Sequence, residues 1–258
     1  MSQRVRPSVC IDSVFEGVPI PEACRKVAEA GIPAIEFWAW WEKDFAELED
    51  SVQENGLNIS ACCTKFISLT DPDLRQSYLE GLAESVEAAK RLQAPILISQ
   101  VGDFREGVSR EEQRESLIEG LQEATKVLDG SDQVLVIEPL NERIDHSGYF
   151  LVRSAEAFDI VRQVGSEQVR VVFDIYHQQI SEGDVIRNFS EDIELIAHFH
   201  AAGNPGRNEL QTGELHYPRV LQAIADTTYE GFVGLEYWPL DSNPVEALRE
   251  AGSWFSDF

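Results

Sequence analysis

The chain has 258 residues with 46 acidic against 21 basic side chains, a formal charge of −25 at neutral pH. Such a charge repels phosphate backbones and anionic lipid surfaces, so neither nucleic acid nor a membrane is an expected partner. The length suits one large α/β domain, and α/β barrels commonly reach this size.

The first strand is expected near Val5 to Ile11. Pro19-Ile20-Pro21 opens a helix that Gly31 closes, with proline at the start and glycine past the end as helix termini prefer. Ala34-Ile35-Glu36-Phe37 reads as a second strand, followed by Trp38, Trp40 and Trp41. A helix from about Asp44 to Glu54 stops at Asn55-Gly56. Leu57 to Cys62 is a third strand, Asp71-Pro72 begins a long helix to about Leu92, and Pro95 to Ser99 is a fourth strand. A charged loop, Gly102 to Glu106, leads to a helix from about Ser109 to Leu128.

The fifth strand is the most informative stretch. Val134-Leu135-Val136-Ile137 runs into Glu138 and is stopped by Pro139. An unbroken aliphatic run of this kind reads as a strand buried on both faces, the habit of parallel sheets covered by helices. Ser154 is expected to cap a helix that ends at Val164 before Gly165. The sixth strand, Val169 to Phe173, ends on Asp174. A helix around Val185 to Glu194 precedes a seventh strand, Leu195 to Phe199, that ends on His200. A helix from Pro218 to Asp226 precedes an eighth strand, Phe232 to Leu235, that ends on Glu236, and Pro244 to Trp254 is the last helix.

Eight strand–helix units without a linker or composition break predict a single closed (β/α)8 TIM barrel domain spanning 1–258. An open doubly wound sheet is the rival, but the chain has neither a GxGxxG after its first strand nor a GxxxxGK[ST] loop. Met1 to Arg6 lacks the apolar segment of a signal peptide, and no stretch approaches the roughly 20 apolar residues that span a bilayer, so a cytoplasmic protein is expected. Cys10, Cys24, Cys62 and Cys63 have neither metal-site spacing nor the density of a disulfide framework, and are expected reduced and buried.

In a barrel the carboxyl ends of the strands share one mouth, where active sites of this fold are built. Glu138, Asp174, His200 and Glu236 are separated by 36, 26 and 36 residues, one unit each. Neighbouring strands lie about 4.8 Å apart, so the four side chains can reach a common point. Three carboxylates brought that close cannot all stay charged without a cation, and oxygen ligands with one imidazole favour Mn2+, Mg2+ or Co2+.

Glu138-Pro139-Leu140-Asn141, Phe173-Asp174-Ile175-Tyr176-His177, His198-Phe199-His200, Asn204-Pro205-Gly206-Arg207, Thr212-Gly213-Glu214 and Gly231 to Tyr237 resemble the hydroxypyruvate isomerase family. That family lies within the xylose-isomerase-like TIM barrels, which also include ketose 3-epimerases. The resemblance is densest from Val134 to Pro239. It implies a metal held by Glu138, Asp174, His200 and Glu236, with the two glutamates doubling as acid and base, and His177 and Arg207 contacting substrate oxygens. Two departures stand out. Hydroxypyruvate isomerases often carry glutamine where His200 stands, and they carry a longer Gly/Trp/Arg-containing loop where this chain has Thr64 to Leu69.

The expected activity is metal-dependent isomerisation of a small keto acid or ketose to its aldehyde isomer through a cis-enediolate. The alternatives are a ketose 3-epimerase using the same groups, a metal-bound barrel that binds sugar without turnover, and an apurinic-site endonuclease, against which the charge argues. Trp38, Trp40 and Trp41 are candidates for an apolar wall or for packing under a loop, Lys65 for a partner of a substrate carboxylate or a solvated loop lysine, and His146 for a substrate contact. Glu142, Arg143 and Asp145 are expected to form a structural ion cluster. His198 is expected to alternate with His200, point away from the barrel axis and serve a structural role. Glu214 is expected to cap or pair locally. Related barrels often pair, so a homo-oligomer is the expected assembly.

Overall fold

The computed structural model describes residues 4–241 and 243–256. Eight parallel strands close on themselves in sequence order: β1 (Val5–Cys10), β2 (Ala34–Phe37), β3 (Asn58–Cys63), β4 (Ile96–Ser99), β5 (Val134–Ile137), β6 (Val169–Asp174), β7 (Ile196–Ala201) and β8 (Gly231–Leu235). The ring closes where Val5 to Val9 of β1 pair with Gly231 to Leu235 of β8. The closed barrel leaves no unpaired sheet edge, as the alternating strand and helix signals predicted.

Ten helices flank the strands among the described residues: α1 (Ile11–Val14), α2 (Ile20–Glu29), α3 (Phe45–Glu54), α4 (Arg75–Leu92), α5 (Arg110–Leu128), α6 (Ser154–Val164), α7 (Ile175–Ser181), α8 (Val185–Glu191), α9 (Tyr217–Ala225) and α10 (Val245–Ser253). Asp44 caps α3 by accepting from the amides of Ala46 and Glu47. Ser109 and Glu112 form a reciprocal capping box at α5. Gly165 ends α6 in the left-handed region, at φ 72°.

Several expectations shift. The helix expected to start at Asp71-Pro72 opens as a short 3-10 turn, Pro72–Leu74, before α4. The helix expected to reach Glu194 ends at Glu191, and a 3-10 turn, Ile193–Leu195, feeds β7. Ser154 is the first residue of α6 and not its cap; its amide and hydroxyl both donate to Glu182 Oε1, at 2.7 and 2.8 Å. The short helices α1 and α7 were not anticipated. Asp174 creates α7 by accepting from the amides of Tyr176 and His177, at 2.7 and 3.2 Å. All four cysteines are free and buried, as expected.

The two faces of each strand separate the core into two layers. Ala61, Cys63, Ile96, Ile98, Val136 and Val172 pack within the barrel. Leu135, Ile137, Val171, Phe173, Phe199 and Val233 face outward to the helices. Because side chains alternate along a strand, the inward position of Val136 carries to Glu138, and that of Val172 to Asp174. Phe173 anchors the outer layer, with ring centroids 6.5 Å from Phe158, 5.8 Å from Phe189 and 5.9 Å from Phe199. Replacing Phe173 by alanine leaves a cavity between β6 and its helices and is expected to cost about 3–5 kcal/mol. Urea unfolding checks this as a lower midpoint at unchanged slope.

Candidate functional site

The mouth at the carboxyl ends of the strands gathers four residues at or just past the ends of β5 to β8. Glu138, Asp174, His200 and Glu236 are buried, and one ligand atom from each lies within 4.8 Å of the others. His200 Nδ1 is 3.0 Å from Glu138 Oε1 and 3.8 Å from Glu236 Oε2. Asp174 spends Oδ1 on the start of α7, which leaves Oδ2 facing His177 Nε2 at 3.6 Å and Arg207 Nη2 at 4.0 Å. Glu236 is held at both oxygens. Trp38 Nε1 donates to Oε1 at 2.7 Å and Arg207 Nη2 to Oε2 at 2.5 Å.

Charges in this space perturb one another strongly. Burial pushes the Asp174 carboxyl up to about 7, against the pull of Arg207 and His200. Burial works against a charged His200, but Glu236, Glu36 and Glu138 around it raise its pKa well above the ordinary imidazole value. Burial likewise opposes an ionised Glu236, yet His200 and Arg207 hold it below the usual carboxylate range. These values describe a pocket with more carboxylate than its own cations neutralise. Three carboxylates and one imidazole within mutual reach form the donor set of a hard or borderline divalent ion. The residues therefore fit such an ion.

The other expected contacts divide. Trp38, His146, Arg207, Glu138 and Glu236 line one cavity of about 320 Å³, together with Phe66, Gln100, Leu140 and Trp238. His177 is fully buried beside it, its ring 5.3 Å from that of His146. The backbone amide of Asn141 donates to His177 Nδ1 at 3.2 Å, so the neutral ring carries its proton on Nε2. Burial and the nearby Arg207 hold this imidazole well below its ordinary pKa, which keeps it a neutral donor. Arg207 lies over the rings of Tyr176 and Trp238, at 5.3 and 5.1 Å.

Three expectations are corrected. Lys65 turns outward to pair with Glu84 on α4 and lies 5.8 Å from the ring of Trp40, away from the mouth. Trp40 packs on Phe45 and donates to Ser85, and Trp41 packs on Phe66, so of the three tryptophans only Trp38 lines the cavity. Glu142, Arg143 and Asp145 form no ion cluster among the described residues. All three are exposed, and Asp145 accepts from Asn141 Nδ2 and the Tyr176 hydroxyl. Glu214 does pair locally, with Asn204.

His198 requires the largest correction. Residues two apart on a strand share a face, so His198 points into the barrel with His200, and it is Phe199 that faces outward. His198 Nε2 lies 2.9 Å from Oε2 of Glu36, a buried carboxylate not expected near the site. Its signal was an acid inside the four-residue apolar strand β2. Trp238, just past β8 and two residues after Glu236, also lines the cavity.

Comparison with known proteins follows the same lines. A family model described as "Xylose isomerase-like TIM barrel" matches residues 24–258. The chain is 31% identical to the putative hydroxypyruvate isomerase of Homo sapiens, covering 93% of this chain and 89% of that protein. It is 29% identical to the hydroxypyruvate isomerase of Escherichia coli (strain K12), covering 90% and 91%. Among solved structures it is similar to the crystal structure of AP endonuclease, family 2 from Brucella melitensis, with a TM-score of 0.89, 26% identity and 98% of each chain covered.

The pKa directions give a measurable consequence. Ligating groups must be deprotonated, and here His200 holds its proton at neutral pH while Asp174 titrates near 7. Divalent-ion binding should therefore displace protons and weaken as pH falls from about 8 to 6, by up to about tenfold per unit for each proton displaced. Calorimetry in buffers of different ionisation enthalpy counts those protons. An affinity independent of pH would contradict the charge balance described.

Proposed function

We propose that this chain, which belongs to the xylose isomerase-like TIM barrel family and is an isomerase, interconverts a small keto acid or ketose with its aldehyde isomer in the manner of the hydroxypyruvate isomerases it is similar to. The observation that carries the reading is the pairing of two buried glutamates, Glu138 and Glu236, on one small cavity and around one imidazole nitrogen. A divalent ion, Mn2+, Mg2+ or Co2+, held by Glu138, Asp174, His200 and Glu236 would polarise the substrate carbonyl and make the neighbouring C–H acidic.

The chain's own groups do the rest. Glu236, kept ionised and fixed by Trp38 and Arg207, is positioned to take the proton from the carbon next to the carbonyl. The resulting cis-enediolate places its charge on two oxygens. The Nε2–H of His177 and the Arg207 guanidinium are the donors for substrate oxygens. Return of the proton to the former carbonyl carbon, by Glu236 or Glu138, together with passage of the hydroxyl proton on the deprotonated carbon to the former carbonyl oxygen, completes the transfer and leaves an aldehyde on the carbon that was first deprotonated. Trp38, Trp238, Phe66 and Leu140 enclose the carbon chain and keep water from the carbanionic carbon.

Ketose 3-epimerisation is the second reading, because a carboxylate on each side of the substrate can remove a proton from one face and return it to the other. An endonuclease, the activity named for the Brucella melitensis structure, is opposed by the charge of −25.

Turnover should be assayed on hydroxypyruvate, tagatose, fructose and ribulose with Mn2+ supplied, reading aldehyde formation and epimer ratio in the same sample. Chelation should abolish it. Glu138→Gln and Glu236→Gln should each lower kcat by about 10²-fold or more and slow entry of solvent deuterium at the substrate carbon. Unchanged exchange in both variants would remove the glutamates from the chemistry. Charge offers an independent check on the substrate class. The net negative field slows the approach of an anionic keto acid, so kcat/KM for hydroxypyruvate should rise with ionic strength while that for a neutral ketose stays flat.

A further inference from the structure

Glu36 is buried in the middle of β2, where the pairing with β3 shifts register between Ile35 and Glu36. A buried carboxylate is expensive unless its oxygens are satisfied, and four other strands are shaped around this one. Ser8 of β1 and Ser60 of β3 donate to Oε2 at 2.8 and 3.0 Å. His198 of β7 reaches the same oxygen at 2.9 Å. On β8, Gly234 leaves the space empty: a Cβ there would stand 2.1 Å from Oε1. None of these contacts serves the proton transfer proposed above.

The remaining oxygen faces His200. Glu36 Oε1 lies 3.1 Å from His200 Nε2, off the line of a hydrogen bond, and neither atom is bonded elsewhere. The opposite nitrogen, Nδ1, is the one turned toward Glu138 and Glu236. An imidazole that offers Nδ1 as a ligand must carry its proton on Nε2, and a carboxylate there both selects that tautomer and sets the ring plane. His198 packs edge-on against the same ring, with centroids 5.1 Å apart and planes at 86°.

We propose that Glu36 is a positioning residue that holds His200, through Nε2, in the orientation that presents Nδ1 to the cation site. The inference rests on the metal site of the function proposed above. It assigns to β2, whose Glu36 lies outside the donor quartet, control over the affinity and geometry of a site made by β5 to β8.

The test uses Co2+ as both probe and reporter on the purified full chain, with circular dichroism to establish folding. In Glu36→Gln, Co2+ affinity by chelator competition is expected to fall about 10- to 100-fold, and the visible absorption bands to shift. Gly234→Ala keeps every charge and ligand but displaces the Glu36 carboxylate, and should reproduce the loss. Ser60→Ala leaves the Oε1 contact in place and should bind Co2+ within a few-fold of the parent. Parent-like affinity and spectrum in both Glu36→Gln and Gly234→Ala would overturn the inference while the metal site itself stands. A parent chain that binds no divalent ion would overturn the functional reading and this inference together. Two ions per parent chain with one in Glu36→Gln would also overturn it, since Glu36, His198 and His200 would then be ligands of a second centre. Should Glu36→Gln fail to fold, Gly234→Ala decides alone.

Discussion

The interior of this barrel holds more negative charge than its own side chains neutralise, and the arrangement of the mouth follows from that. Glu36, Glu138, Asp174 and Glu236 are buried in one space against His198, His200 and Arg207. An ionised carboxylate out of water is several kcal/mol unfavourable unless paired and hydrogen-bonded. The pairing is arranged in two tiers. Deeper in the barrel, two serines and His198 satisfy one oxygen of Glu36. At the mouth, Arg207 and Trp38 satisfy Glu236, and His200 meets Glu138. His200 joins the tiers, one ring nitrogen toward each. What is left over is Asp174, whose carboxyl is pushed up to about 7 by burial. A divalent ion bound there would remove that excess without adding a side chain.

Much of this was legible in the sequence because two simple periodicities carry it. Aliphatic runs such as Val134–Ile137 announce strands buried on both faces, and their alternation with amphipathic segments gives the parallel barrel. Once the strands are placed, a period of two sends Glu138, Asp174 and Glu236 inward after Val136, Val172 and Gly234. The same rule, applied correctly, brings His198 in beside His200. Glu36 shows where local reading stops. A lone acid in an apolar strand signals burial, but its partners come from strands up to 162 residues away, and no local pattern names them. Loop side chains were less legible still. Lys65 follows β3 as a residue of the mouth should, yet the carboxylate of Glu84 on α4 and the nearby Trp40 draw it outward. Helix α7 was hidden for a related reason: Asp174 was read only as the end of β6, although one of its oxygens also begins a helix.

The structure divides labour between strands and loops. The groups assigned to proton transfer in the proposed reaction sit directly after strand ends, on strands held by ladder hydrogen bonds and by a packed outer layer of Phe158, Phe173, Phe189 and Phe199. The apolar side chains that line the cavity, Phe66 and Leu140 among them, lie beyond strand ends, on the loops of the mouth.

Trp38 belongs to both sets. Its indole ring forms a wall of the cavity with Trp238, 6.0 Å away, while its Nε1–H fixes Oε1 of Glu236. A ligand pressed against that wall therefore lies against the donor that orients the carboxylate. Replacing the wall's aromatic faces with polar ones would admit water, raise the local dielectric and weaken the pull of Arg207 and His200 on Glu236. Apolar enclosure and acid–base chemistry are thus two consequences of the same side chain, which ties the choice of substrate to the carboxylate assigned to the reaction.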